Sequence, residues 1–137
     1  MAKSGSLEAQ VVALGLRDRV RFIGWKDDTR PYVSAADVFV MPSSHEPLGN
    51  VILEAWAQNR PVVSSKSEGP MWFMQDGENG LLAEIGEADS FAASIRRLLD
   101  DEALSRHVAE GGYKTLMDQF SEEAVAGAYM ELFKRKP

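Results

Sequence analysis

The chain has 137 residues, 45% of them hydrophobic and 26% charged, with a net charge of −6 and no cysteine. That length fits a single domain with an ordinary core. The negative charge argues against a nucleic-acid partner, and the missing thiols exclude disulfides and thiolate metal sites. No apolar run approaches the roughly 20 residues that span a bilayer, and the N-terminus lacks a signal-peptide pattern, so a cytoplasmic protein is expected.

Met1 to Ser6 is small and polar. Leu7 to Leu14 has helical spacing, with Ser6 as N-cap and Gly15 as stop. Val20-Arg21-Phe22-Ile23 reads as a short strand ending at Gly24, and Asp28 to Ser34 as a single helical turn with Pro31 near its start. Val38-Phe39-Val40-Met41, closed by Pro42, is a continuous apolar run of the kind covered on both faces of a sheet. A helix follows over Gly49 to Ala57, and Asn59 is placed to take the left-handed turn that ends it. Val62-Val63-Ser64 reads as the next strand, Ser65 to Gly69 as a polar loop, and Pro70 to Met74 as a short turn. Asp76-Gly77-Glu78-Asn79-Gly80 carries turn chemistry ahead of a strand at Leu81-Leu82-Ala83.

The remainder is helical in pattern. Phe91, Ile95, Leu98 and Leu99 form one stripe, Leu104 and Val108 a second, and Val125, Tyr129, Leu132 and Phe133 a third after Ser121. Asp100, Asp101 and Glu102 fall where one helix ends and another begins. Strands alternating with helices imply an α/β fold with a parallel sheet, whose ligands bind at the carboxyl ends of the strands. The loops at Gly24 to Arg30, Pro42 to Gly49 and Ser65 to Pro70 lie at that edge.

Glu46 in one of those loops and Glu54 in the following helix are the chain's most pointed pair. A helix beginning at Gly49 rises about 1.5 Å per residue, which sets Glu54 roughly 7–8 Å from its N-terminus. That matches the span between the phosphates and the ribose of a nucleoside diphosphate. Backbone amides near Gly49, Asn50 and Val51 would meet the phosphates, aided by the equivalent of about half a positive charge from the helix dipole. Taken singly, a loop glutamate and a helical glutamate are usually solvated. Glu54 sits within VILEAWA, where a buried carboxylate would need a partner.

From Leu14 to Phe133 the chain resembles the C-terminal part of group 1 (family 4-like) retaining glycosyltransferases of the GT-B fold. The resemblance rests on RVRFIGW at residues 19–25, AADVFVMPS at 35–43, EPLGNVILEAWA at 46–57, RPVV at 60–63 and DGENGLL at 76–82. The glutamates match the family's E-x7-E motif, weak alone and specific only within these ordered blocks. The resemblance implies a partial Rossmann-like C-terminal domain, a parallel sheet with flanking helices over residues 7–137, that binds a nucleotide-sugar donor. It gives Glu46 the transferred sugar and the catalytic role, Glu54 the ribose, and Leu48, Gly49, Asn50 and Val51 the diphosphate. Trp25 and Lys26 would border the base, and Gly69 the sugar. No metal and no cofactor is implied, and the acceptor would be a saccharide or a lipid-linked saccharide in polysaccharide biosynthesis.

Departures are also visible. Pro47-Leu48 stands where Gly-Phe is commoner, Asn59 where glycine is usual, and Trp72 where the family often has glutamate. Trp72 reads as a hydrophobic cover over the short turn. The family's preceding strand, its glycine-rich loop and the Arg and Lys that neutralise the diphosphate have no counterpart before Leu7, so the isolated chain is expected to be inactive. Two rival readings and one further partner are weighed. A non-catalytic fragment would self-associate through an exposed sheet edge. A glycosidase would hold its two carboxyl groups about 5 Å or 6.5–9.5 Å apart in one cleft. Lys134, Arg135 and Lys136 form a small basic end suited to peripheral contact with the inner membrane face. His45 reads as a solvated loop residue, and Asp27-Asp28 as a turn.

Overall fold

Val62 and Val63 are neighbours in sequence and send their side chains into opposite halves of the core. The computed structural model describes residues 4–134, with side-chain surroundings from Leu7 onward. The Met1 to Lys3 stretch, the Ser6 side chain, Arg135 and Lys136 lie outside the described residues. Helices α1 (Ser4–Ala13) and α2 (Arg30–Ala35) precede strand β1 (Phe39–Met41), helix α3 (Asn50–Ala57) and strand β2 (Val62–Ser65). Then come the short α4 (Pro70–Phe73), β3 (Leu81–Ala83), α5 (Ala88–Asp100) and α6 (Glu102–Thr115), a π turn over Leu116–Phe120, and α7 (Glu122–Lys134).

The three strands form one parallel sheet in the order β1-β2-β3, with Phe39 opposite Val62 and Val63 opposite Leu81. All four β2 residues are buried, as a central strand covered on both faces requires. Side-chain alternation then divides the core. Val62 joins Met41, Ile52, Ala55, Trp56 and Met74 under α3 and α4, whereas Val63, Leu81 and Ala83 join Phe91, Leu98 and Val108 under α5 and α6.

Several local expectations hold. Asn59 takes the left-handed conformation at φ 53°, and Gly15 does so at φ 67° after α1. Asp101 Oδ1 accepts the Leu104 amide at 2.9 Å, capping α6. Ser121 Oγ accepts the Ala124 amide at 3.2 Å, in the first turn of α7. The Asp76–Gly80 turn closes through Gly77 N–H to Gly80 O at 2.8 Å. Buried Asn79 ties it down, accepting the Gln75 amide at 2.7 Å and donating to Phe73 O at 2.9 Å.

Three expectations are corrected. Val20–Ile23 forms no ladder; Phe22 is 54% exposed and Ile23 46%, because an apolar run becomes a strand only when a neighbouring backbone accepts its hydrogen bonds. Ser6 lies inside α1, which starts at Ser4, rather than at its cap. The stripe on α7 exists but is uncovered, with Tyr129 and Leu132 each 59% exposed and Phe133 79%; Leu99 on α5 also faces out. Periodicity marks a face of a helix and does not say what packs on it.

Trp56 anchors the α3 side. Its ring meets Phe73 edge-on at 5.5 Å, and Phe73 in turn meets Phe120 at 5.4 Å. A Cβ added at Gly112 of α6 would stand 2.3 Å from the Trp56 ring, so glycine is what lets α6 approach. Gly112→Ala is therefore expected to lower the urea unfolding free energy by about 1–3 kcal/mol through overpacking. Gly127→Ala on α7, where nothing lies within 4 Å, should raise it by roughly 0.5–1 kcal/mol through helix propensity. Equal effects from the two substitutions would rule out the packing account.

Candidate functional site

The site is built on the loop from β1 to α3 and the loop from β2 to α4, both at the carboxyl edge of the sheet. Gly49 is the N-cap of α3 with φ 82°, a conformation that favours glycine, and a Cβ there would also press on the Phe73 ring at 3.2 Å. Beyond it the first-turn amides, those of Asn50 and Val51 among them, have no acceptor inside the helix. Both residues are exposed.

Glu46 is half-buried, and its Oε1 accepts the Gly49 amide at 2.9 Å and the Leu48 amide at 3.3 Å. The carboxylate thus caps α3 where the helix dipole is positive, a stabilising placement for an anion. Glu54 lies one turn further along α3 and is exposed. Its apolar neighbours Ile52, Ala55 and Trp56 turn inward, which resolves the expectation of a buried carboxylate in favour of an accessible one.

The second loop is locked to the first. The Gly69 amide donates to Glu46 O at 2.8 Å, and a Cβ on Gly69 would fall 2.7 Å from Leu48 backbone atoms. Beneath this contact Ser65 Oγ donates to Ser43 O at 2.5 Å and shares a hydrogen bond with Ser67 Oγ at 3.0 Å. Above it His45 Nδ1 and Glu68 Oε1 lie 2.8 Å apart. The Glu68 carboxyl is held below the usual carboxylate range by its own backbone amide first and by the His45 ring second.

Glu46, Leu48, Gly49, Asn50, Val51 and Gly69 are therefore brought together, with Glu54 on the same helix. Trp25 and Lys26 are not joined to them by any hydrogen bond among the described residues. Trp25 donates to Asp27 at 3.1 Å and is 90% exposed, while Lys26 lies over the Tyr32 ring at 5.9 Å. Trp72, expected as a cover, is also 90% exposed; α4 turns Phe73 inward and leaves Trp72 in solvent. Sequence reading missed the Glu46 cap and the His45–Glu68 pair. The first was signalled by an acidic residue three positions ahead of a helix-opening glycine; the second links residues distant in sequence and had no local signal.

Residues 2–101 match the family described as glycosyl transferases, group 1. The chain belongs to that family. Among curated members it is 60% identical over 124 residues to the lipopolysaccharide core biosynthesis glycosyltransferase LpsE of Rhizobium meliloti (strain 1021), covering 90% of this chain and 36% of LpsE. LpsD of the same organism, with the same description, is 47% identical over 129 residues, covering 94% and 38%. Among solved structures, Anabaena Alr3699/HepE in complex with UDP superposes with a TM-score of 0.89 at 29% identity, covering 95% of this chain and 36% of that one. The chain thus spans little more than a third of the relatives it matches, and its fold is that of the C-terminal domain of GT-B glycosyltransferases. In this group 1 domain, no helix among the described residues is long and apolar enough to cross a membrane.

Two outcomes follow from the loop lock. Glu46→Ala should lower the urea unfolding free energy by about 1 kcal/mol, the worth of a helix cap, with Glu46→Gln, which keeps an acceptor, losing less. Unchanged stability in both would remove the capping role. The depressed pKa of Glu68 gives the second. Its contribution is fully present above the unfolded value near 4.3 and is lost as pH falls through the folded value. An NMR titration of the Glu68 carboxyl should give a midpoint below that of the unfolded chain, and His45→Ala should move it upward; a parent midpoint no lower than the unfolded one would count against the link.

Proposed function

We propose that this chain supplies the donor-binding portion of a retaining glycosyltransferase that moves a hexosyl group from a nucleoside diphosphate to a saccharide or lipid-linked acceptor. The setting would be lipopolysaccharide core or related polysaccharide assembly. The observation that carries the reading is the α3 N-terminus at the sheet's carboxyl edge, flanked by Glu46 and Gly69 and followed by exposed Glu54, in a chain 60% identical to LpsE.

In this reading the Asn50 and Val51 amides meet the diphosphate and Glu54 accepts the ribose hydroxyls through charge-assisted hydrogen bonds. Glu46 and the Gly69 loop face the transferred sugar, and Trp25 and Lys26 border the base. The helix end stabilises charge gained by the departing diphosphate, so the reading calls for neither metal nor cofactor. UDP is the favoured nucleotide because HepE has been crystallised with UDP and with UDP-glucose. Residues 7–137 would form the donor unit, and turnover would require the remaining length that the relatives possess.

Calorimetric titration of the chain with UDP, GDP and ADP should show UDP bound most tightly, and Glu54→Ala should weaken it roughly tenfold or more, the worth of hydrogen bonds to a charged group. Undiminished UDP binding in Glu54→Ala would remove the ribose role, and robust transferase activity of the chain by itself would overturn the division of labour.

A further inference from the structure

We propose that Trp72 is a specificity-determining residue that stacks on the sugar ring of the bound nucleotide-sugar. The inference rests on the donor-binding reading above and extends it to a residue outside the glutamate motif. Trp72 belongs to α4, whose first turn grows directly out of the Gly69 loop: its amide donates to Gly69 O at 3.0 Å, and the Met71 amide donates to Ser67 O at 3.1 Å. Gly69 in turn is pinned to Glu46 O and pressed on the Leu48 backbone. The backbone that carries the indole is therefore held beside the loop of Glu46, where the transferred sugar would lie.

Trp72 is 90% exposed; Met71, next to it in α4, is 52% exposed, and Leu48, whose backbone meets Gly69, is 64% exposed. An indole is a large apolar surface to leave in water, and this one stands three residues past the Gly69 that meets the Leu48 backbone. The His45–Glu68 pair supplies polar groups on the two loops that are locked together ahead of α4. A pyranose has this character: an apolar face of C–H bonds, which lies flat on an indole, and an edge of hydroxyls, which donate to a carboxylate. The base of the nucleotide is assigned to the Trp25 side, so the ring nearest Trp72 is the sugar.

The indole N–H signals of Trp25, Trp56 and Trp72, assigned through Trp25→Phe and Trp72→Phe, provide the test. The chain is titrated with UDP and, separately, with UDP-glucose, UDP-galactose and UDP-N-acetylglucosamine. At least one UDP-sugar is expected to shift the Trp72 signal while UDP leaves it in place. Trp72→Ala should weaken that UDP-sugar by roughly three- to tenfold, the scale of a stacking contact, with UDP affinity kept. Because Trp72 touches solvent on most of its surface, the variant should fold as the parent does. A Trp72 signal that ignores every sugar, or a sugar increment that survives Trp72→Ala, overturns the proposal and leaves the nucleotide site standing. Trp72 shifts that follow protein concentration without ligand would reassign the residue to contact between copies. Failure of UDP itself to bind would instead remove the donor-binding reading, and the stacking role with it.

Discussion

The contact between two loops with almost no side chain between them governs this molecule's carboxyl edge. Gly69 comes so close to the Leu48 backbone that even a methyl group would not fit. That proximity brings the Gly69 amide onto Glu46 O, aligns Glu68 with His45 and places the start of α4 beside the start of α3. Each such hydrogen bond is worth on the order of 1 kcal/mol net. Their combined effect is positional: Glu46 is held from both its backbone and its carboxylate.

The lock is possible only because the strands beneath it are parallel and in register. Met41 pairs with Ser64, so the chain leaves β1 and β2 at the same level and Ser65 Oγ can reach Ser43 O. β2 is buried along its whole length, and its serines bond to Ser65 O, Ser43 O and Ser67 Oγ rather than facing water. Trp56 on the α3 side completes the support at some cost, since its Nε1 is buried without a hydrogen-bond partner. The edge-on contact with Phe73 and the close fit against Gly112 show packing outweighing that unmade bond.

How much of this was readable from the residues depended on range. The runs VFVM and VVS announced strands, Asn59 announced a left-handed turn, and Ser121 and Asp101 announced helix starts, because each signal is local. VRFI carried the same composition as a strand and is not one, since pairing is a property of two segments. The α7 stripe and Trp72 were misjudged for a related reason: apolar character shows that burial would be favourable, and only the surrounding chain decides whether it occurs. At the site, the glutamate spacing and Gly49 were legible, whereas the role of Gly69 rests on a close approach between residues about twenty positions apart.

The Glu46 cap also constrains how an anion can enter. A carboxylate and a diphosphate both seek the amides at the start of α3, and Glu46 already holds those of Leu48 and Gly49. The Asn50 and Val51 side of the first turn is left open; it faces solvent and leads toward Glu54, about 6 Å along the helix. The neighbouring charges give no help. Glu46, Glu54 and Glu68 are all acidic, while Lys66 at the end of β2 is engaged by Glu84, which raises its pKa, and Lys26 lies over Tyr32. Among the described residues the pull on an anion at this end of α3 comes from helix amides, worth about 0.3–1 kcal/mol at an exposed surface.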